Sequence, residues 1–525
     1  MPELPSRADV VVIGAGHNGL VAATLLARAG LDVAVLEAAD VLGGACRTEH
    51  PFPRAPELAA STGAYLLGLM PPELLTRLGL DLPLVRRDPH YFLPTLDGRH
   101  LLLGSDRAAT RQQYERFFSP ADWTADVALQ AELGTLRDDL APAWLAEPLP
   151  VEQTAERYLR PSLRSTFVDL VRGSAVDYLS RFGFASEALV AMYAVTDGMP
   201  GLAGSPYSPG SGHNLLVHNM CRLPGADGTW MVVRGGLGTV TARIAAAAAA
   251  AGASLHPGHA VARVLLDDGH VSGVETSRGR VASPVVLAAT DPYRLPGLVG
   301  GALPAELLGR ITGWAQRPGM TLKVNLALSG LPRFAALPES VGQHGTTVHL
   351  LPPPAADGSV LTAVRAAYDD ASAGRLPLFP PLEWYLHSTL DPSLRDSAGN
   401  HSSALFVQGV PAQVAGSSWA AERDGYVEHL LGVAERFAPG LRDLVVDVSP
   451  LAPPDIETHF GITGGNIFHV DNAVSFTDRM PYATGLPGLY AGAAGCHPAG
   501  SVIGAAGHNA AQRILADVGL PPSAG

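Results

Sequence analysis

The chain has 525 residues, of which 47% are hydrophobic and 16% charged, and it carries a net charge of −13. That length and apolar content describe a folded protein of about two or three domains, or one large α/β domain with insertions. The acidic balance argues against nucleic acid and against an anionic membrane surface as partners, because both reward basic patches.

The N-terminal stretch MPELPSRADVVVIGAG has no basic segment leading into a long apolar run. Its apolar residues are few and soon interrupted by glycine, so they read as a strand rather than a signal peptide. No uninterrupted apolar stretch reaches the roughly 18 residues of a spanning helix, so no transmembrane segment is expected. Cys46, Cys221 and Cys496 are too few and scattered for a disulfide framework. A cytoplasmic setting follows from that cysteine usage.

Val10 to Ile13 form a β-branched run suited to a parallel strand buried on both faces. Gly14, Gly16 and Gly19 follow as G-x-G-x-x-G, then an Ala/Leu-rich helix ending near Gly30, then a second strand over Asp32–Leu36 that closes on Glu37. Gly14 permits the tight turn, Gly16 lets the backbone approach a pyrophosphate, and Gly19 lets helix and strand pack closely. Ala15 and Asn18 lie in the same turn, where the helix start offers unsatisfied N–H groups to phosphate. Glu37 stands where a carboxylate accepts hydrogen bonds from ribose hydroxyls. In this strand–turn–helix–strand–acid order the motif predicts a dinucleotide.

Residues from about 70 to 225 read as mostly helical, from apolar spacings near three and four. A Gly-rich turn at Arg234–Gly238 leads into a helix ending at Gly252, whose alanine run Ala245–Ala251 reads as a tightly packed helix. A β-meander follows, with turns at Asp268-Gly269 and Arg278-Gly279, returning to a buried strand at Val285–Ala289. From about 300 to 450 the chain enters a second lobe. Within it, MTLKVNLAL alternates as a strand placing Lys323 and Asn325 on one face and Leu322, Val324 and Leu326 on the other. Lys323 is the only lysine in the chain. Leu489–Ala491 reads as a last short strand, after which Gly492, Gly495, Gly500, Gly504 and Gly507 crowd the approach to a helix through Ala510–Leu515. Small residues at that density let backbone lie against a flat ring system.

These motifs, with GGACRT (Gly43, Gly44, Arg47), GTWMVVRGGLGTV, FGITGGNIFH and GAAGCHPAG…GAAGHNAA, occur in order along nearly the whole chain. Together they resemble the phytoene-desaturase-like flavoproteins of the amine oxidase superfamily, and within them the pyridine nucleotide–disulfide oxidoreductase domain-containing branch. The resemblance implies FAD, with Gly43 and Gly44 approaching the flavin side, Arg47 meeting the pyrophosphate and the Val261 backbone meeting adenine. It implies an α/β fold: a Rossmann-type FAD-binding domain assembled from 1–70, 226–300 and 451–525, with an α+β substrate domain inserted as 71–225 and 301–450. It further implies that Lys323 is linked through a water to flavin N5, a task for a compact amine that can become neutral when desolvated rather than for a forked, permanent guanidinium. Ala499 and Ser501 stand where the pattern leads one to expect glycines.

Disulfide reductases need two redox cysteines in close spacing, but Cys46 stands alone, and no second G-x-G-x-x-G holds a nicotinamide cofactor. The reductant is therefore read as an organic small-molecule substrate. The expected reaction takes a hydride from a C–H of a hydrophobic or aromatic molecule to flavin N5, forming C=C or C=N, with oxygen or a quinone as electron acceptor. The alternative is a non-enzymatic escort protein of the dissociation-inhibitor type, which shares this fold but has no need of the intact cradle. His497, beside the presumed ring, is a candidate catalytic base; His213, His218, His469 and Asp471 are weaker ones, each competing with a structural role. The five-residue spacing of His213 and His218 does not suit a helical metal site. The sequence is compatible with an oligomer.

Overall fold

The computed structural model describes residues 4–522, so Met1–Glu3 of the N-terminal stretch lie outside the described residues. Its centre is a five-stranded parallel sheet in the order Leu489–Ala491, Val285–Ala288, Val10–Ile13, Val33–Leu36, Ser254–His256. The first four are buried along their whole length, which is why their sequences run as unbroken apolar segments instead of alternating. Val10 pairs with Val33 on one side and Val285 on the other. Segments far apart in the chain thus close one sheet. Helix His17–Arg28 packs on it between helices Gly238–Ala250 and Ala505–Asp517.

The alanine run departs from expectation. Only Ala248 is buried, while Ala246, Ala249 and Ala250 are exposed. The helix there rests on alanine's intrinsic propensity and on the face carrying Val240, Ile244 and Ala248.

The meander forms a separate antiparallel sheet from Val261–Asp267, His270–Thr276 and Gly279–Ala282. Its first turn, Asp268-Gly269, has φ of 45° and 75°, the two positive values a two-residue hairpin turn demands. The second falls at Ser277-Arg278, one residue earlier than the glycine suggested.

The third sheet has seven strands, ordered Val445–Leu451, Thr321–Leu328, His401–Gln408, Leu382–Tyr385, Thr347–Leu350, Tyr91–Pro94, His100–Leu103. Tyr91–Pro94 and His100–Leu103 interrupt the stretch read as mostly helical. At four residues each, neither is long enough for periodicity to separate it from a helix segment. The helices between Arg107 and His218 form a layer with an apolar core of their own.

The strand Thr321–Leu328 is buried along its whole length. Leu322, Val324 and Leu326 enter the core behind the sheet with Leu382, Trp384, Leu405 and Val407. Lys323 faces the other way, as alternation predicts.

Candidate active site

A cavity of about 700 Å³ runs from the first βα turn to the face of the seven-stranded sheet. At one end it is walled by Gly14, Gly16, Asn18, Glu37, Gly44 and Val261. Gly14 has φ of 101°, and a Cβ there would lie 3.0 Å from the Ala289 carbonyl oxygen. At Gly19 a Cβ would meet the Gly14 carbonyl oxygen at 2.1 Å, so this glycine sets how closely helix and strand approach. A Cβ on Gly16 would meet nothing within 4 Å. Of the three, only Gly16 is small for the sake of whatever fills the cavity.

The Glu37 carboxylate accepts the Ala15 N–H at 2.8 Å and the Ala39 N–H at 2.9 Å. Each oxygen keeps acceptor capacity for a sugar hydroxyl. Ala15 thereby fixes the acid. Gly19 and Gly43 stand behind the wall, and a Cβ on Gly43 would meet Cys46 O and Thr241 Oγ1 at 2.9 Å. The Arg47 guanidinium lies 5.1 Å over the Phe460 ring and donates to the His459 carbonyl at 3.0 Å. Phe460, not Arg47, lines the cavity.

The glycine-rich C-terminal stretch is used differently from the expectation. Ala493, Ala494, Ser501 and Val502 face the cavity, whereas Gly492, Gly495 and Gly504 do not. A Cβ on those three would meet Ala510, Val470 and Leu74. One on Gly500 would meet Phe468 at 2.3 Å, and one on Gly507 the Asn18 carbonyl oxygen at 2.0 Å. The glycines let the protein's own segments pack behind a wall made of alanine, serine and valine.

At the other end the floor is the seven-stranded sheet. Lys323 pairs with Phe406, and Phe406 with Glu383, so these residues form one row across three strands. All three line the cavity, with Tyr385 beside them and Tyr65, Tyr91, Trp230, Ile467 and Phe468 around them. Lys323 Nζ donates to the carbonyls of Ser61 and Gly63, the latter at 2.7 Å. Burial holds its pKa well below the ordinary lysine value, against a smaller raising effect from Glu49. Burial likewise pushes Glu383 up to about 8; its carboxyl is bonded by the Tyr385 hydroxyl and, at 3.2 Å, by the Gln408 amide.

The histidines separate clearly. His497 does not line the cavity: its Nε2 donates to the Ala143 carbonyl at 3.0 Å, its own carbonyl accepts from the Tyr482 hydroxyl, and burial lowers its pKa to about 4. That environment makes it a structural link, in place of the catalytic base expected from sequence. His213 is tied to the Asn472 carbonyl, and Asp471 accepts from the Ala203 and Ala473 N–H groups. His218 and His469 do line the cavity, as does His17, whose Nε2 is buried without a partner. Among the described residues no group of three His, Cys, Asp or Glu is arranged to hold a metal ion.

Sequence reasoning missed Tyr65, Arg87, Glu383, Tyr385 and Phe406. A signal existed for part of it. In LEWY and in ALFV, core residues alternate with cavity-facing ones, the pattern that did place Lys323.

The model of the family described as flavin containing amine oxidoreductase matches residues 19–300, just over half of the chain. The chain belongs to that family. It is 34% identical to the mouse pyridine nucleotide-disulfide oxidoreductase domain-containing protein 2, over 97% of this chain and 94% of the relative. It is 26% identical to hydroxyneurosporene desaturase of Cereibacter sphaeroides, covering 97% and 98% of the two chains. A solved oxidoreductase from Methanosarcina mazei shares the fold with a TM-score of 0.61 at 16% identity, covering 97% of this chain and 99% of that one. Membership makes the chain an FAD-dependent oxidoreductase and sets the escort alternative aside. The residues present fit the cofactor: the open space at Gly16 and the free acceptor capacity of Glu37 face one continuous cavity. The mouse relative's name mentions a disulfide. Here Cys46, Cys221 and Cys496 are all free and buried, and burial pushes the Cys46 and Cys496 thiols up to about 12.

Proposed function

We propose that this flavoprotein removes a hydride from a C–H bond of a hydrophobic or aromatic small molecule, leaving a C=C or C=N bond. The observation that carries this reading is the row Lys323–Phe406–Glu383, which faces an aromatic chamber continuous with the dinucleotide cradle. FAD, when bound, supplies the hydride acceptor.

The chain's own residues do the rest. Gly16, Asn18 and Glu37 hold the cofactor's polar half, with Val261 beside them. Tyr65, Tyr385, Phe406 and Trp230 orient an apolar substrate and exclude water from it. The Tyr65 ring lies 4.6 Å from that of Tyr385 and 5.9 Å from that of Phe406, giving one packed wall. Lys323 holds or releases a proton at Nζ, a role that its lowered pKa favours. The similarity to a desaturase supports C=C formation.

The test is anaerobic titration of the FAD-loaded protein with apolar C–H donors, aliphatic and aromatic, with and without an amine. Bleaching of the visible flavin band by one of them supports the reading, and the product identifies the bond formed. Mixing the bleached protein with oxygen or with a quinone identifies the acceptor. A protein that dithionite reduces, but that no such donor does, would overturn the proposal.

A further inference from the structure

The aromatic end of the cavity holds a guanidinium that the reaction above does not use. Arg87 is only 2% exposed and lines the cavity with Tyr91, Trp230, Thr347, Glu383 and Tyr385. Its Nε donates to the Trp230 carbonyl at 2.8 Å and its Nη1 to Thr347 Oγ1 at 2.7 Å. Both acceptors are neutral, and Nη2 is buried without a partner. An arginine cannot shed its charge in a protein, and a buried cation is costly unless an anion compensates it.

The protein's own carboxyls compensate poorly. The oxygens of Glu383 are engaged by the Tyr385 hydroxyl and the Gln408 amide, and burial pushes the group up to about 8. Asp197, the acceptor for the Tyr91 hydroxyl at 3.4 Å, is raised by burial to about 7. The nearby His90, His349 and His387 are lowered, chiefly by burial, to about 3 and stay neutral. At neutral pH one fixed positive charge therefore stands at the wall of an aromatic chamber.

We propose that Arg87 anchors a carboxylate of the substrate, so that the substrate class is a hydrophobic or aromatic carboxylic acid. This rests on the chamber being the substrate site of the reaction proposed above. A guanidinium is the group of choice here because its remaining Nη2 donors make charge-assisted bonds to a carboxylate while Nε and Nη1 keep it fixed.

The experiment compares three probes of one shape, cinnamate, cinnamamide and cinnamylamine, on the full FAD-loaded chain. Dissociation constants are read from perturbation of the bound flavin's visible absorption, so no turnover is needed. Cinnamate should bind at least about tenfold more tightly than cinnamamide. Arg87→Leu should remove that advantage and leave cinnamamide binding unchanged, while Arg87→Lys keeps part of it. If Arg87→Leu does not retain flavin, the wild-type comparison and Arg87→Lys still decide. The proposal is overturned by cinnamate binding no tighter than the amide, by the amine binding tightest, by a preference that survives Arg87→Leu, or by no perturbation near cinnamate's solubility limit. Failure of every C–H donor to bleach the flavin is a separate result, and it would sink the reaction reading alone.

Discussion

Lys323 Nζ stands 4.4 Å from the centroid of the Tyr65 ring, with the carbonyls of Ser61 and Gly63 taking two of its donors. Two carbonyls and a ring face surround a compact amine; a planar fork would collide with one of them. The only lysine of the chain is therefore explained first by shape, and its cavity position adds the chemistry. Lys323→Met should retain FAD but slow flavin reduction or reoxidation by at least tenfold, about 1.4 kcal/mol in barrier. It should also cost stability of about 1–3 kcal/mol, since two carbonyls lose a buried donor. Lys323→Arg should be impaired in the same half-reaction. Stopped-flow traces of both variants that overlay the wild type would leave Lys323 with a structural role only.

Gly16 and Gly19 belong to one motif and should fail in different ways. A side chain at Gly16 enters open cavity, so Gly16→Val should leave the apo-protein as stable as wild type and abolish FAD retention. A methyl at Gly19 meets backbone at 2.1 Å, so Gly19→Ala should lower the unfolding midpoint even without cofactor. Destabilisation of this overpacked kind is about 1–3 kcal/mol or more. Thermal melts of both apo-proteins and flavin content after gel filtration check the contrast; equal melting losses would show that Gly16 does not face the cofactor.

That contrast also shows what was legible in the sequence. The cradle could be read because a βα turn is local: its strand, glycines, helix and acid fall within residues 10–37. Lys323 could be read because strand alternation is local too. The aromatic chamber could not, since Tyr65, Arg87, Glu383 and Phe406 meet only when the third sheet closes, and its strand pairing is set by long-range packing. In the C-terminal stretch the glycine density marks a close approach without marking its partner. Composition shows that a close approach occurs there; only the structure shows that the approaching group is Phe468 or Asn18. His497 failed for a similar reason, because Ala143, its partner, is 354 positions away.

Glu37 receives two backbone N–H groups and lies against the cavity. Glu37→Ala should weaken FAD binding by about 1–3 kcal/mol, the loss of hydrogen bonds to a charged acceptor. Fluorescence titration of the apo-variant with FAD measures it. Unchanged affinity would mean that the sugar lies elsewhere.

Bound FAD should be released on denaturation. Cys46 is the one cysteine lining the cavity, and burial holds its thiol up at about 12, so little thiolate is present at neutral pH to attach a flavin. Yellow colour that stays with the acid-precipitated polypeptide would contradict this.

Stability should peak near neutral pH and fall on both sides for different reasons. Eight histidines, of which His213, His349, His387, His497 and His508 are buried and His17, His90 and His218 half-buried, are lowered chiefly by loss of hydration to between about 3 and about 4. Their folded pKa lies below the unfolded value near 6.5, so the unfolded chain binds more protons as the pH drops through that window. The stability they contribute is present above about 6.5 and lost as pH falls towards 3, each group adding up to about 1.4 kcal/mol per pH unit. Glu383 and Asp197 act in the opposite sense. Burial raises them to about 8 and about 7, so the folded state holds their protons longer than the unfolded chain does. Their contribution is complete below the ordinary carboxyl range and lost as pH climbs to about 8. Eight groups outweigh two wherever the windows overlap, so stability should rise from pH 4 to 6.5; from there to pH 8 only the carboxyls remain, and it should decline gently. Denaturant midpoints across that range give the profile. Glu383→Gln, which keeps the shape and removes the titration, should flatten the decline above pH 6.5 and leave the acid limb in place. A decline of unchanged slope in that variant would show that Glu383 is already ionised at neutral pH, paired with Arg87.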